Sequence, residues 1–98
     1  VDLRKNSKTF GQYGSVILKS SNKQLLFIKK GFAHGFKTLE NNTTVMYKVS
    51  NYYSPKNEIT MNYLDKTINI NWKLNNNKVH LSKKDLAGLS FLKIMNKL

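Results

Sequence analysis

The sequence contains no cysteine, one proline and one arginine. Without cysteine there are no disulfides, no thiol nucleophile and no thiolate zinc site. No apolar run approaches the ~18 residues that a membrane-spanning helix needs, which argues against a membrane protein. No charged, apolar and small-residue pattern of a secretory leader opens the chain, so the expected location is cytoplasmic. With Pro55 alone and 5 glycines, turns must be built largely from Asn, Ser and Lys. Acidic residues are also few, 5 Asp+Glu against 17 Lys+Arg, for a formal net charge of +12.

A basic excess of this size attracts polyanions. Its composition weakens that reading. All the cations but Arg4 are lysines, and lysine is a point charge without the planar fork by which arginine reads bases and phosphates. The cations are spread along the whole chain and no nucleic-acid motif accompanies them, so no nucleic-acid partner is expected. The 98 residues allow one domain or a piece of one. Domains this small bury only about 60–70% of the unfolded chain's surface, which leaves a thin core. At 40% hydrophobic and 11% aromatic, the chain is not disordered by composition. It opens on Val1 without Met, in residues patterned like the end of a strand, so either further sequence before it or an unusual start is expected.

Short apolar runs read as strands at residues 15–19, 24–28, 33–39, 43–50, 58–63 and 67–72. In the fourth, Thr43, Val45, Tyr47 and Val49 share one face. In the last, Ile68, Ile70 and Trp72 alternate with Asn69 and Asn71. Glu40-Asn41-Asn42 and Asn75-Asn76-Asn77 are turn signals, and residues 51–57 form a loop around Pro55. The period then changes: Ser82-Lys83-Lys84-Asp85 is a capping-box pattern, and Leu86, Leu89, Ile94 and Leu98 have helical spacing, with Gly88 interrupting. Several short strands followed by a helical tail predict an all-β sandwich or barrel.

Five ordered motifs carry a resemblance. They are Val1-Asp2-Leu3-Arg4 with Ser7-Lys8-Thr9-Phe10-Gly11, then Gly31-Phe32-Ala33-His34-Gly35-Phe36, then Tyr47-Lys48-Val49-Ser50-Asn51-Tyr52-Tyr53-Ser54-Pro55, then Ile70-Asn71-Trp72, and finally Leu81-Ser82-Lys83-Lys84-Asp85. Together they resemble the C-terminal half of the dTDP-4-dehydrorhamnose 3,5-epimerase family. Lys30 replaces the usual proline before Gly-Phe-Ala-His, and Leu64-Asp65-Lys66 replaces an N-D-P turn. The resemblance implies a cupin-type jelly roll, here partial with a short helical C-terminal tail, and residues 1–98 as a single domain. It also implies a homodimer, acting on a dTDP-4-keto-6-deoxyhexose in dTDP-L-rhamnose biosynthesis without redox cofactor or metal. The C4 ketone acidifies C3 and C5, so a base, an acid across the ring and a donor to the enolate oxygen suffice.

By the same resemblance Tyr47 is the acid, His34 the donor near the keto oxygen, and Asp85 the carboxylate that orients a catalytic histidine. Glu58, Tyr52, Tyr53 and Lys84 belong to the nucleotide end. Each residue has a plainer reading. Tyr47 fills the interior of a strand pair, His34 is a satisfied core histidine, Asp85 completes the cap begun by Ser82, and the loop tyrosines and Lys84 serve the surface. The family's R-G-x-H segment, which carries its catalytic base, does not occur in these residues. Catalysis by this chain alone is therefore in doubt, and a second reading is an inactive epimerase-like remnant acting as a binding or assembly module. Only His34 and His80 are available as imidazole ligands, 46 residues apart and without an H-x-H pair, so no metal is expected.

Overall fold

A computed structural model describes residues 1–75 and 78–98. The expected jelly roll is not formed. Among the described residues the only β pairings are two isolated bridges, Asp2 with Phe32 antiparallel and Met61 with Leu89 parallel. The runs at 15–19, 24–28, 33–39 and 43–50 are irregular. The physical reason is that period-two patterning specifies a face but not a partner. A strand persists only when neighbouring strands take up its backbone groups and an opposing layer covers its apolar side. Here neither exists: Leu25 is 94% and Phe27 83% exposed. The expected strand at 67–72 fails differently, because Thr67 and Ile68 lie in a turn and Asn69 is left-handed at φ 53°. The radius of gyration is 14.4 Å, against about 13 Å for a well-packed domain of this length.

Two buried carboxylates organise what is ordered. The first is Asp2. Its Oδ1 accepts from the Arg4 backbone N–H at 3.0 Å and from Arg4 Nε at 2.9 Å. Its Oδ2 accepts from the second arm of the same guanidinium at 2.9 Å and from Thr9 Oγ1 at 2.7 Å. The Arg4 guanidinium lies 4.6 Å from the centroid of the Phe32 ring, a cation–π distance. Backbone bonds from Asp2 N–H to Gln12, Gly11 N–H to the Asp2 carbonyl, and Leu3 N–H to Gly31 close the knot. Gly31 sits at φ +92°, and a Cβ there would meet Arg4 Cγ at 2.7 Å, so the position admits no side chain without displacing Arg4.

The second is Asp65. Its Oδ1 accepts from the N–H of Thr67 at 2.9 Å and of Ile68 at 3.0 Å, and its Oδ2 from Phe91 N–H at 2.8 Å. Phe91 opens a helix, so Asp65 caps from a distance a helix terminus whose N–H groups lack intrahelical partners.

That helix is α2, Phe91–Lys97. Phe91 and Ile94 are buried, Met95 is half-buried beside them, and with Ile68 they are the buried hydrophobic residues among those described. Before it lies a single turn, α1, Lys83–Leu86, whose N-cap Ser82 accepts the Asp85 N–H at its Oγ. Between the helices Gly88 runs against the 61–62 backbone. A Cβ there would meet Met61 C and Asn62 N at 2.7 Å. This close approach lets Leu89 N–H reach the Thr60 carbonyl and Asn62 N–H reach Leu89, each at 2.8 Å. The two knots join where Phe10 packs on Phe91, ring centroids 5.5 Å apart.

Turns are built as the composition predicts: Lys23, Asn42, Asn69, Lys73 and Asn75 all adopt positive φ. Of the expected 75–77 turn, Asn76 and Asn77 lie outside the described residues.

Asp65→Ala strands three backbone donors, two of them in buried surroundings, at about 1–3 kcal/mol for each unsatisfied group. The expected result is a loss of at least ~3 kcal/mol in urea unfolding. Gly88→Ala should remove hydrogen-exchange protection at Leu89 and Asn62 while leaving that at Leu3 and Gly11. Equal loss at both places would contradict the local clash.

Both carboxylates also set the acid limit. The Arg4 side chain, against an opposing desolvation and with help from Ser7, Thr9 and the Arg4 N–H, holds Asp2 far below the ordinary carboxylate range. Burial pushes Asp65 up, but the N–H groups of Phe91, Ile68 and Thr67 outweigh it and hold it low as well. A lowered folded-state pKa contributes stability that is full above the unfolded value near ~4 and is lost as pH falls below it. Stability should therefore be flat from neutrality to about pH 5 and decline below about pH 4. In Asp2→Asn that decline should be shallower; an unchanged acid limb would argue against Asp2 as a source.

Candidate functional site

The loop at 51–57 is stiffened locally. Asn51 Oδ1 accepts from Tyr52 N–H at 2.9 Å, and Pro55 opens a short 3-10 turn, Pro55–Asn57, tied back by Asn57 Nδ2 to Ser54 Oγ at 2.9 Å. This turn brings Glu58 round to face the residues before it. Tyr47, Tyr52, Tyr53 and Glu58 line one open cleft of about 540 Å³, together with Val49 and Asn57. The phenols are far from buried: Tyr47 is 76% and Tyr52 96% exposed. The structure therefore does not make Tyr47 a core filler.

Lys84 comes to the same rim from α1. The cap from Ser82 to Asp85 N–H fixes the single turn that carries it, and its ammonium forms an ion pair with Glu58 Oε2. The Glu58 hydrogen bond raises the Lys84 pKa against some desolvation, with Glu58, Tyr53 and Asp85 adding charge attraction. Five of the seven expected residues are thus gathered: four in the cleft and Lys84 on its edge.

His34 and Asp85 do not line the cleft. His34 is exposed rather than a core histidine. It is held between two anchored neighbours: Ala33 N–H donates to the Val1 carbonyl at 2.9 Å, and Gly35 lies against the Trp72 ring edge, where a Cβ would stand 3.7 Å away. Trp72 is itself fixed by its Nε1–H to the Tyr63 carbonyl at 2.7 Å. Asp85 is exposed on α1, where its backbone N–H donates to the cap and its carbonyl accepts from Gly88 N–H. Among the described residues no group of three or more metal-ligating side chains occurs, and no helix is long and apolar enough to cross a membrane.

The structure shows what two of the motifs hold in place. In the first, Asp2, Arg4, Ser7 and Thr9 form one hydrogen-bonded cluster. In Ile70-Asn71-Trp72, the N–H of Asn71 reaches Tyr13 Oη at 3.2 Å and the Trp72 carbonyl accepts Lys37 Nζ at 2.6 Å. Sequence reasoning missed Asp65 as a structural centre; a lone acid before a turn, in a chain with 5 acids, was the available signal.

A solvent-facing cleft of phenols and one ion pair is the kind of surface that takes a ligand with an aromatic ring and negative charge. Comparison with known proteins identifies the class. The family model described as dTDP-4-dehydrorhamnose 3,5-epimerase matches residues 1–93, and the chain belongs to that family. It is 44% identical over 92 residues to the dTDP-4-dehydrorhamnose 3,5-epimerase of Shigella flexneri, covering 94% of this chain and 50% of that protein. It is 46% identical over 88 residues to that of Salmonella typhimurium, covering 90% and 48%. It is 42% identical over 74 residues to that of Methanothermobacter thermautotrophicus, covering 76% and 40%. The chain spans about half the length of the curated relatives it matches. No solved structure matches it.

Ser82→Ala removes the α1 cap. It should cost about 1 kcal/mol locally and shift the Lys83–Leu86 carbon resonances toward coil values while those of α2 stay. Unchanged resonances at Lys84 would mean the cap does not position it.

Proposed function

We propose that this chain supplies the acid and nucleotide-binding part of a dTDP-4-keto-6-deoxyhexose 3,5-epimerase site, with the base coming from an R-G-x-H segment outside these residues. The observation that carries the reading is the shared cleft of Tyr47, Tyr52, Tyr53 and Glu58 in a chain of this family.

The chemistry follows from the substrate's ketone. A base removes the proton at C3 or C5, the electron pair moves into the C4 carbonyl, and an enolate forms. Tyr47 returns a proton to carbon from the opposite face. A phenol O–H is a proton donor of the kind general acid catalysis uses. His34 serves as the donor to the enolate oxygen, and Asp85 orients the base through a carboxylate–histidine hydrogen bond. Both have to approach Tyr47 when the site assembles. Tyr52 and Tyr53 offer ring faces to thymine, and Lys84 a charge to the diphosphate. The exposed apolar runs and unpaired backbone support association with a second copy, and a cytoplasmic location fits a nucleotide-sugar substrate.

Solvent exchange tests the reading, since base and acid both equilibrate their protons with water. With dTDP-4-keto-6-deoxyglucose in D₂O, the chain fused behind a family segment carrying R-G-x-H should place deuterium at C3 and C5. In the fusion Tyr47→Phe should lower exchange by about 10²-fold or more. Tyr52→Ala or Tyr53→Ala should weaken dTDP binding by about 5- to 150-fold, the range for loss of one stacked base. Absence of exchange in a folded, dTDP-binding fusion would favour the remnant reading.

A further inference from the structure

The Glu58–Lys84 ion pair occupies an unusual place. Glu58 is a wall of the cleft, whereas Lys84 is delivered from α1, 26 residues later. The pair links the phenol-lined loop to the capped turn, and its two charges cancel each other at the edge of the cleft in a chain of net charge +12.

We propose that Glu58 is a placeholder for the ligand's diphosphate: it holds the Lys84 ammonium at the rim in the free chain and releases it to phosphate on binding. The inference rests on the epimerase reading of this cleft and adds to it a competition between two of its residues.

Three physical points support the exchange. Side-chain exposure of 34% for Glu58 and 59% for Lys84 leaves the pair in water, where such contacts contribute little. Lysine is a point charge on a flexible stem, so its ammonium can pivot without the geometric loss that a bidentate arginine would suffer. A diphosphate carries more negative charge than one carboxylate, so it outbids Glu58 for the same cation once it is within reach. The other negative and titratable neighbours of Lys84, Tyr53 and Asp85, add only charge attraction and no hydrogen bond. The swap therefore involves Glu58 specifically. A free Lys84 would attract any passing anion, whereas a paired one yields only to a ligand of higher charge. Glu58 thereby favours diphosphate over monoanions.

Inorganic pyrophosphate is the direct probe, with thymidine as the uncharged control, both titrated into the 98-residue chain at low salt. Glu58→Gln should tighten pyrophosphate binding by about 2- to 5-fold, the range for an exposed ion pair. It should tighten acetate binding at least as much. Lys84→Met should weaken pyrophosphate binding and, combined with Glu58→Gln, should abolish the gain. The gain should also disappear in 0.5 M salt. Thymidine, which has no phosphate for Lys84 to receive, should show no such gain in Glu58→Gln.

The proposal is overturned if Glu58→Gln leaves pyrophosphate binding unchanged or weaker. It is also overturned if the gain persists without Lys84, which would be a general field effect, or if the wild-type chain binds no pyrophosphate. The epimerase reading fails separately, if neither dTDP nor thymidine binds and the tyrosine substitutions change nothing.

Discussion

The ordered part of this chain depends on a carboxylate meeting backbone N–H groups. Asp65 gathers Thr67, Ile68 and Phe91, and in doing so it converts a turn into the start of a helix packing site. Without it the Phe91 N–H at the α2 terminus and the Ile68 N–H in the turn would be buried donors without this acceptor. The three buried hydrophobic residues among those described cannot supply the specificity by themselves, because burial is non-directional. Direction comes from the acid. Asp2 does the same at the other end of the ordered region, through Arg4 and Thr9 instead of a helix terminus. Phe10 against Phe91 couples the two.

This division explains how much of the fold was legible. The helical tail could be read because its signals are local: Ser82 caps one turn, and Leu86, Leu89, Ile94 and Leu98 have helical spacing, although of these Ile94 alone is buried and the face that packs is that of Phe91 and Ile94. Ser90 as the second cap was less visible, since its third neighbour is Lys93 rather than an acid. The positive-φ turns at Asn42 and Asn75 were legible from composition, because asparagine tolerates the left-handed region, whereas Asn69 was read as part of a strand. The sheet was misread for the opposite reason. The apolar stretch at 24–28 announces a preference for burial, but what buries it is non-local. Leu25 and Phe27 lie in water, and no pattern within a run names the strand that should sit beside it. Asp65 was missed because three long-range or turn contacts leave no periodic trace.

The site divides along the same line. Tyr47, Tyr52, Tyr53 and Glu58 fall within one stretch of 12 residues, so a short loop and one proline suffice to bring them together. Lys84 joins through charge. His34 and Asp85 come from distant parts of the chain, and motif order places them in a family without specifying their separation from Tyr47. Their own anchors are local: His34 hangs between Ala33 and Gly35, and Asp85 rides on the α1 cap.

The chain's few acids therefore do different work according to their surroundings. Asp2 and Asp65 are shut away from water and saturated with donors, so their charge is committed to holding the backbone. Glu58 and Asp85 remain in water, Glu58 in the wall of the cleft where the phenols lie open. A carboxylate already satisfied by several donors has no capacity left for a ligand, whereas one held by a single mobile ammonium can exchange it. In a chain with 17 cations and 5 acids, the pairing of Lys84 is thus more informative than the net charge. It marks where a positive group is paired beside open phenol rings, at the edge of a cleft rather than inside a knot of donors.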